Sequence, residues 1–393
     1  MLPLTSPKPN ALEPGWFAAW TAAQMITGIE PVINPHLIGK TVRQQLRPSI
    51  GGHRIRLTLS NEYGTEPLQL ETVHIARLIE AGRNAIDTST DTVLTFGGAE
   101  HMELPAGKRI VSDEIDFHFE ALQDLAITIK IGASAGGQTT GHNDALSSIW
   151  IGEGNVASEE TFPAMMATVN WYFITELDVR AQEHTETLVL IGDSITDCYG
   201  ARDNRYERWS DVLSRLLRNH PETSHISVVN EGIGGNAIFG GLGPALKDRF
   251  DRDVLQVPGV KRVVVLIGIN DIGFAQRDIS ADMIKEYHIM IDKCHARGIR
   301  IYAGTIMPVG GHGYYSALHE QIRTTINEWF LSGQAKIDGV IDFAGATADP
   351  TDPSRLFPDY TADLLHCNTA GYQRMGEYAY ERLLDLWRKE ANA

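Results

Sequence analysis

The sequence predicts two folds in series: an all-β, jelly-roll-like sandwich over residues 1–183, then a three-layer α/β/α domain with five parallel strands over residues 184–393. Three observations carry this expectation. The first part holds many short runs that mix β-branched and polar residues, separated by turn signals. From Leu188 onward, apolar strand-like runs alternate with amphipathic helical patterns. Between the two, residues 180–187 read RAQEHTET, polar and charged, as a short linker does.

In the first part the runs are TVRQQLRPSI, HRIRLTLSNEYG, LQLETVHIARL, DTVLTFGG, KRIVSDEIDFHF and LAITIKIG. Ile55, Leu57 and Leu59 alternate with Arg56, Thr58 and Ser60, which predicts one buried and one wet face, as in antiparallel sheets. SIGGH, NEYGTEP, FGGAEH and GASAGG supply the turns, and WYFITELDV reads as the last strand. Trp16, Trp20, Trp150 and Trp171 read as core or interdomain packing rather than a sugar-binding platform, and the histidines here show no metal-ligand spacing.

The second part opens on LVLIGDSITD, residues 188–197. Four apolar residues without alternation read as a strand buried on both faces. Gly192 suits a sharp turn out of it, which puts Asp193 and Ser194 at a strand-to-helix junction. Further strands are expected to end at Asn230 and to cover residues 262–268, 299–306 and 339–343. Helical stripes run from Tyr206 to His220, from a Ser280 cap to Gly298, from Tyr315 to Leu331 and from Thr369 to Lys389.

A chain of 393 residues suits two domains, and 43% hydrophobic with 21% charged residues is a globular profile. The net charge of −16 argues against nucleic acid and anionic lipid, which need clustered Lys and Arg. No apolar run reaches the length of a membrane span. The Pro-rich start, MLPLTSPKPNALEPGW, lacks the apolar core of a secretory signal, so a cytoplasmic location is expected. A secreted chain whose signal peptide had been removed would read the same. Cys198, Cys294 and Cys367 give neither a disulfide framework nor a zinc motif. Cys198 and Cys367 read as small packing residues, with thiols that could open onto a cleft.

The chemistry gathers at strand ends. NEGIGGN (230–236) follows the second strand, GINDIG (268–273) the third, and DLLH (363–366) precedes the last helix. In a parallel sheet these clusters share an edge with Ser194. A serine becomes a nucleophile when a histidine takes its proton, and His366 can do so. Asp363, three residues earlier and on the same face of a helical turn, can orient that ring. Backbone N–H groups of Ser194 and Gly235, with the Asn270 amide, can hold a developing oxyanion. The loop MPVGGHGYYS borders the same edge, and His312, Tyr314 and Tyr315 are its candidates for substrate contact. No HEXXH or similar cluster calls for a metal, and no cofactor is expected.

GDSIT at 192–196, the glycine of GIGGN, GIND at 268–271 and DLLH at 363–366 together resemble the SGNH, or GDSL-type, esterase and lipase family. The likeness covers the second domain. It implies a flavodoxin-like hydrolase fold, a Ser194–His366–Asp363 triad and an oxyanion hole of Ser194, Gly235 and Asn270. Asp197 and Asp271 would brace the loops. Cys367 stands where related chains often have proline, and Gly234 where serine is common. The first domain is similar to the β-sandwich that some bacterial members carry before the hydrolase.

These readings imply a serine esterase that works through an acyl-enzyme on Ser194, with a small-molecule or glycan ester as partner. Short-chain or carbohydrate acyl esters are favoured. The alternatives are a thioesterase or lipase of the same family, or a glycan-binding scaffold with an inactive hydrolase domain.

Overall fold

The computed structural model describes residues 15–27, 36–181 and 184–391, which form two compact units, Met1–Thr185 and Glu186–Ala393.

Strand pairing in the first unit is antiparallel throughout its described residues. One five-stranded sheet contains Trp16–Thr21, Ile174–Arg180 and Gly52–Ser60; a seven-stranded sheet contains Lys40–Leu46, Leu125–Ala135 and Leu68–Arg77. Ile55, Leu57 and Leu59 from the first share one hydrophobic core with Val42, Val73, Ile75, Ile127 and Ile129 from the second. Period-two alternation therefore does predict which residues enter the core.

Two details differ from the sequence reading. Thr58 and Ser60 are buried rather than wet. Their strand lies inside its sheet, and its polar groups are paired: Arg56 Nε donates to buried Asp178 at 2.8 Å, and Ser60 Oγ to Glu62 at 3.0 Å. WYFITELDV is not one strand. Phe173 has φ +64°, so Trp171–Tyr172 pairs in a small sheet and Ile174–Arg180 in the five-stranded one. Trp16, Trp20, Trp150 and Trp171 are all under a tenth exposed, and Trp20 meets Trp171 edge-on at 4.9 Å.

The second unit is built on a parallel sheet of Glu186–Gly192, Ile226–Gly232, Val260–Leu266, Arg300–Gly304 and Gly339–Ile341, in that chain order. In space the order is second, first, third, fourth, fifth. Gly192 at the end of the first strand lies beside Gly232 on one side and Leu266 on the other. Three central strands therefore end in one row, and the strand order reverses there. That reversal is where open α/β sheets form a crevice.

Helices Trp209–Arg218, Ser280–His295, Ala317–Leu331 and Thr369–Ala391 fall on the predicted stripes, the first and third with trimmed starts. Tyr206, at φ +54°, cannot begin a helix. Ser316 caps the third helix by accepting the His319 N–H. Ser280 is not a cap but the first helical residue; the Asp278 carboxylate accepts its N–H at 2.9 Å.

Gly192 is required for space rather than for an unusual backbone angle. A Cβ there would lie 2.2 Å from the Leu266 carbonyl oxygen and 2.4 Å from Thr196 Oγ1. Gly192→Ala is therefore expected to cost about 2 kcal/mol or more of unfolding free energy, read from urea denaturation. A variant within about 0.5 kcal/mol of wild type would contradict this packing account.

Candidate active site

The Ser194–Asp197 helical turn follows the first strand directly. Asp193 caps it, its side chain accepting the Ile195 N–H at 3.0 Å. This capping leaves the Ser194 hydroxyl free for another partner, and Ser194 Oγ lies 2.9 Å from His366 Nε2. On the far side of the ring, His366 Nδ1 lies 2.7 Å from Asp363 Oδ2. An ionised carboxylate only accepts, so Nδ1 carries the proton and Nε2 is left to accept from the serine. Asp363 is held below the usual carboxylate range. Partial burial pushes it up, but the His366 ring and the N–H groups of His366 and Leu365 outweigh burial.

DLLH is a bend, not the helical turn expected. Leu364 has φ +67°, and Thr361 and Cys367 bridge its ends. Thr361 Oγ1 accepts the Leu364 N–H at 2.9 Å and donates to the His366 carbonyl at 2.7 Å. A looped clasp thus brings Asp363 and His366 face to face without a helix.

Gly235, at φ +70°, lies just past the second strand. Among the described residues, neither its N–H nor that of Ser194 donates to a protein acceptor. Asn270 follows the third strand; its Nδ2 donates to the Asn236 carbonyl at 2.9 Å, beside Gly235. The candidate residues therefore come from the loops after three adjacent strands. Asp197 Oδ2 accepts the Gly234 N–H at 2.9 Å, and Asp271 accepts those of Ile238 and Phe239 at 2.9 and 3.1 Å. Both aspartates join neighbouring loops.

Of the three proposed contact residues, Tyr314 reaches the site: its hydroxyl donates to Asn270 Oδ1 at 3.2 Å. His312 packs edge-on against Tyr314 at 4.9 Å and accepts its N–H through Nδ1. Tyr315 is exposed. Cys198 and Cys367 are buried, and burial pushes the Cys367 thiol up to about 12, so neither opens onto a cleft.

Two residues were not singled out from the sequence. Tyr199 is 54% exposed and lies 4.7 Å from the His366 ring. Arg249 is fully buried; it donates to the Gly192 and Glu231 carbonyls at 2.9 and 2.8 Å and to Asn236 Oδ1 and Asp253 Oδ2 at 3.0 Å. Position after the GDS block could have pointed to Tyr199. Nothing local in the sequence marks Arg249.

Residues 190–374 match the GDSL-like lipase/acylhydrolase family. That match lies within the second unit and spans most of it. The chain is 36% identical over 122 residues to an acetylxylan esterase from Geobacillus stearothermophilus. That alignment covers 28% of the chain and 50% of the relative, so the chain spans about half the relative's length. Among solved structures, a lipolytic protein of the G-D-S-L family from Desulfitobacterium hafniense is 24% identical, with TM-score 0.40; the match covers 50% of this chain and 99% of that one. An acetylxylan esterase structure from Geobacillus stearothermophilus is 22% identical, with TM-score 0.39, covering 50% of this chain and 94% of that one. Among the described residues no cluster of His, Cys, Asp and Glu is arranged to hold a metal, and no helix is long and apolar enough to cross a membrane.

Asp193 carries a prediction. Burial, with Asp271 nearby, raises its pKa from 3.8 to about 7. Between these values the folded chain holds a proton that the unfolded chain has released. This group's contribution therefore favours folding most at low pH and is lost as pH rises to about 7. Asp193→Asn keeps the capping oxygen and removes the titration. Its urea midpoint is expected to gain on wild type between pH 5 and pH 8; a constant gap would contradict the assignment.

Proposed function

We propose that the chain is a serine ester hydrolase working through an acyl-enzyme on Ser194. The observation that carries this reading is the hydrogen-bonded run Ser194 Oγ–His366 Nε2–Asp363, at 2.9 and 2.7 Å. Ser194 Oγ attacks the acyl carbon while its proton passes to His366 Nε2. The N–H groups of Ser194 and Gly235 and the second Nδ2 hydrogen of Asn270 receive the oxyanion. Collapse breaks the ester C–O bond, and the leaving alcohol takes the proton from Nε2. Water then attacks the acyl-enzyme, giving its proton to Nε2, and the second collapse releases the carboxylic acid and restores the Ser194 hydroxyl. Asp363 steadies the imidazolium formed in each half.

We favour short acyl esters of sugars as the substrates. The acetylxylan esterase relative supports this. Tyr199 supports it too, because an exposed ring against His366 flanks the place where the alcohol departs.

The same reading takes the second unit as a three-layer α/β/α fold and the first as a jelly-roll-like sandwich. Packing of Trp209–Arg218 on Thr369–Ala391, and of Ser280–His295 on Ala317–Leu331, supports the former. One core filled from two large antiparallel sheets supports the latter.

Hydrolysis of p-nitrophenyl acetate tests the proposal. Ser194→Ala is expected to lose at least about a thousandfold in kcat; undiminished turnover would sink the assignment. Asn270→Ala is expected to lower kcat by about 100- to 1,000-fold with little change in KM. A raised KM alone would remove Asn270 from the oxyanion role.

A further inference from the structure

We infer that Tyr314 is a positioning residue, whose hydroxyl fixes and polarises the Asn270 amide, rather than a substrate contact. The inference rests on the reading of Asn270 as an oxyanion donor. The amide is held at both ends. Its nitrogen donates to the Asn236 carbonyl at 2.9 Å, and its oxygen accepts from Tyr314 at 3.2 Å. With one Nδ2 hydrogen committed to Asn236, the other points in a direction set by rotation about the Cβ–Cγ bond. The Tyr314 hydroxyl on Oδ1 restrains that rotation. Donation to Oδ1 also draws electron density from the nitrogen, which strengthens its remaining N–H as a donor.

The surroundings hold Tyr314 in place for this contact. A Cβ at Gly273 would sit 2.4 Å from the Tyr314 ring, so glycine there lets the ring lie against the Ile269–Gly273 turn. Phe274 meets the ring edge-on at 5.3 Å and His312 at 4.9 Å. The His319 ring stands between the carbonyls of Tyr314 and Ala275, at 2.6 and 2.9 Å, and spans the two loops. Ring packing and main-chain contacts thus deliver one hydroxyl to one amide oxygen. The last glycine of GINDIG has a use that the family blocks do not assign.

A double-mutant cycle on p-nitrophenyl acetate tests this. Tyr314→Phe removes only the hydroxyl, and Tyr314→Met keeps apolar bulk should the aromatic variant fold poorly. Each is expected to lower kcat by about five- to tenfold with KM within about twofold of wild type. In an Asn270→Ala background the same substitutions are expected to cost nothing further, because the hydroxyl acts through that amide. A wild-type kcat in Tyr314→Phe would overturn the inference. So would an unchanged fold-loss in the Asn270→Ala background, which would return Tyr314 to direct substrate contact. Ser194→Ala measured alongside keeps the two levels apart: full turnover there would overturn the hydrolase reading itself, and this inference with it.

Discussion

The candidate site depends on a single buried cation. Arg249 stands outside the sheet, yet its guanidinium spans the carbonyls at the ends of the first and second strands and the side chain of Asn236. Those strand ends feed the loops of Ser194 and Gly235, and the Asn236 carbonyl holds Asn270. One planar donor set thus fixes the spacing of three loops at once, as the rigid fork of arginine suits. Asp253 faces it at 3.0 Å, so the charge is compensated inside the fold. Apolar residues of equal volume could fill the space but could not replace these donations to the strand-end carbonyls and to Asn236.

How much of this is legible in the sequence follows from the range of each interaction. The strand–turn–helix grammar of the second unit is local, and its strands and helices lie where apolar runs and stripes place them. Ser194, Gly235 and Asn270 are legible because each sits a few residues past a strand end, and parallel register brings strand ends into one row. Asp363 and His366 are legible as residues but not as geometry. Their bend needs φ +67° at Leu364, which leucine gives no reason to expect. Arg249, the Phe173 break and the covered face of Thr58 and Ser60 are illegible for the same reason: each is settled by partners distant in the chain.

The electrostatics of the edge follow from burial rather than from net charge. The chain carries −16 overall, yet Asp193 and Asp271 are raised together by burial while Asp363 is lowered by the donors around it. The difference lies in burial and in partners: Asp193 and Asp271 are deeply enclosed, while Asp363 is only partly buried and lies against the His366 ring. Asp363 receives the His366 ring and two N–H groups, which hold its negative charge beside that ring. Asp193 is buried beside another carboxyl and serves as a helix cap, a task that a protonated carboxyl performs with its carbonyl oxygen.

Ser194 and His366 lie 172 residues apart in the chain, so bringing them together is a tertiary event. The C-terminal helix performs it. Thr369–Ala391 starts three residues after His366 and packs on Trp209–Arg218 at close range: a Cβ at Gly376 would meet Val212 at 2.5 Å. Tyr372 donates to the Tyr199 carbonyl at 2.8 Å, and Thr369 to Glu207 at 3.0 Å, so the helix is bonded to the segment leaving the nucleophile turn. Fraying of its first turn would withdraw His366 while the sheet stayed intact. Because local opening costs less than global unfolding, the geometry of the Ser194–His366 hydrogen bond reports the docking of this helix before it reports the stability of the fold.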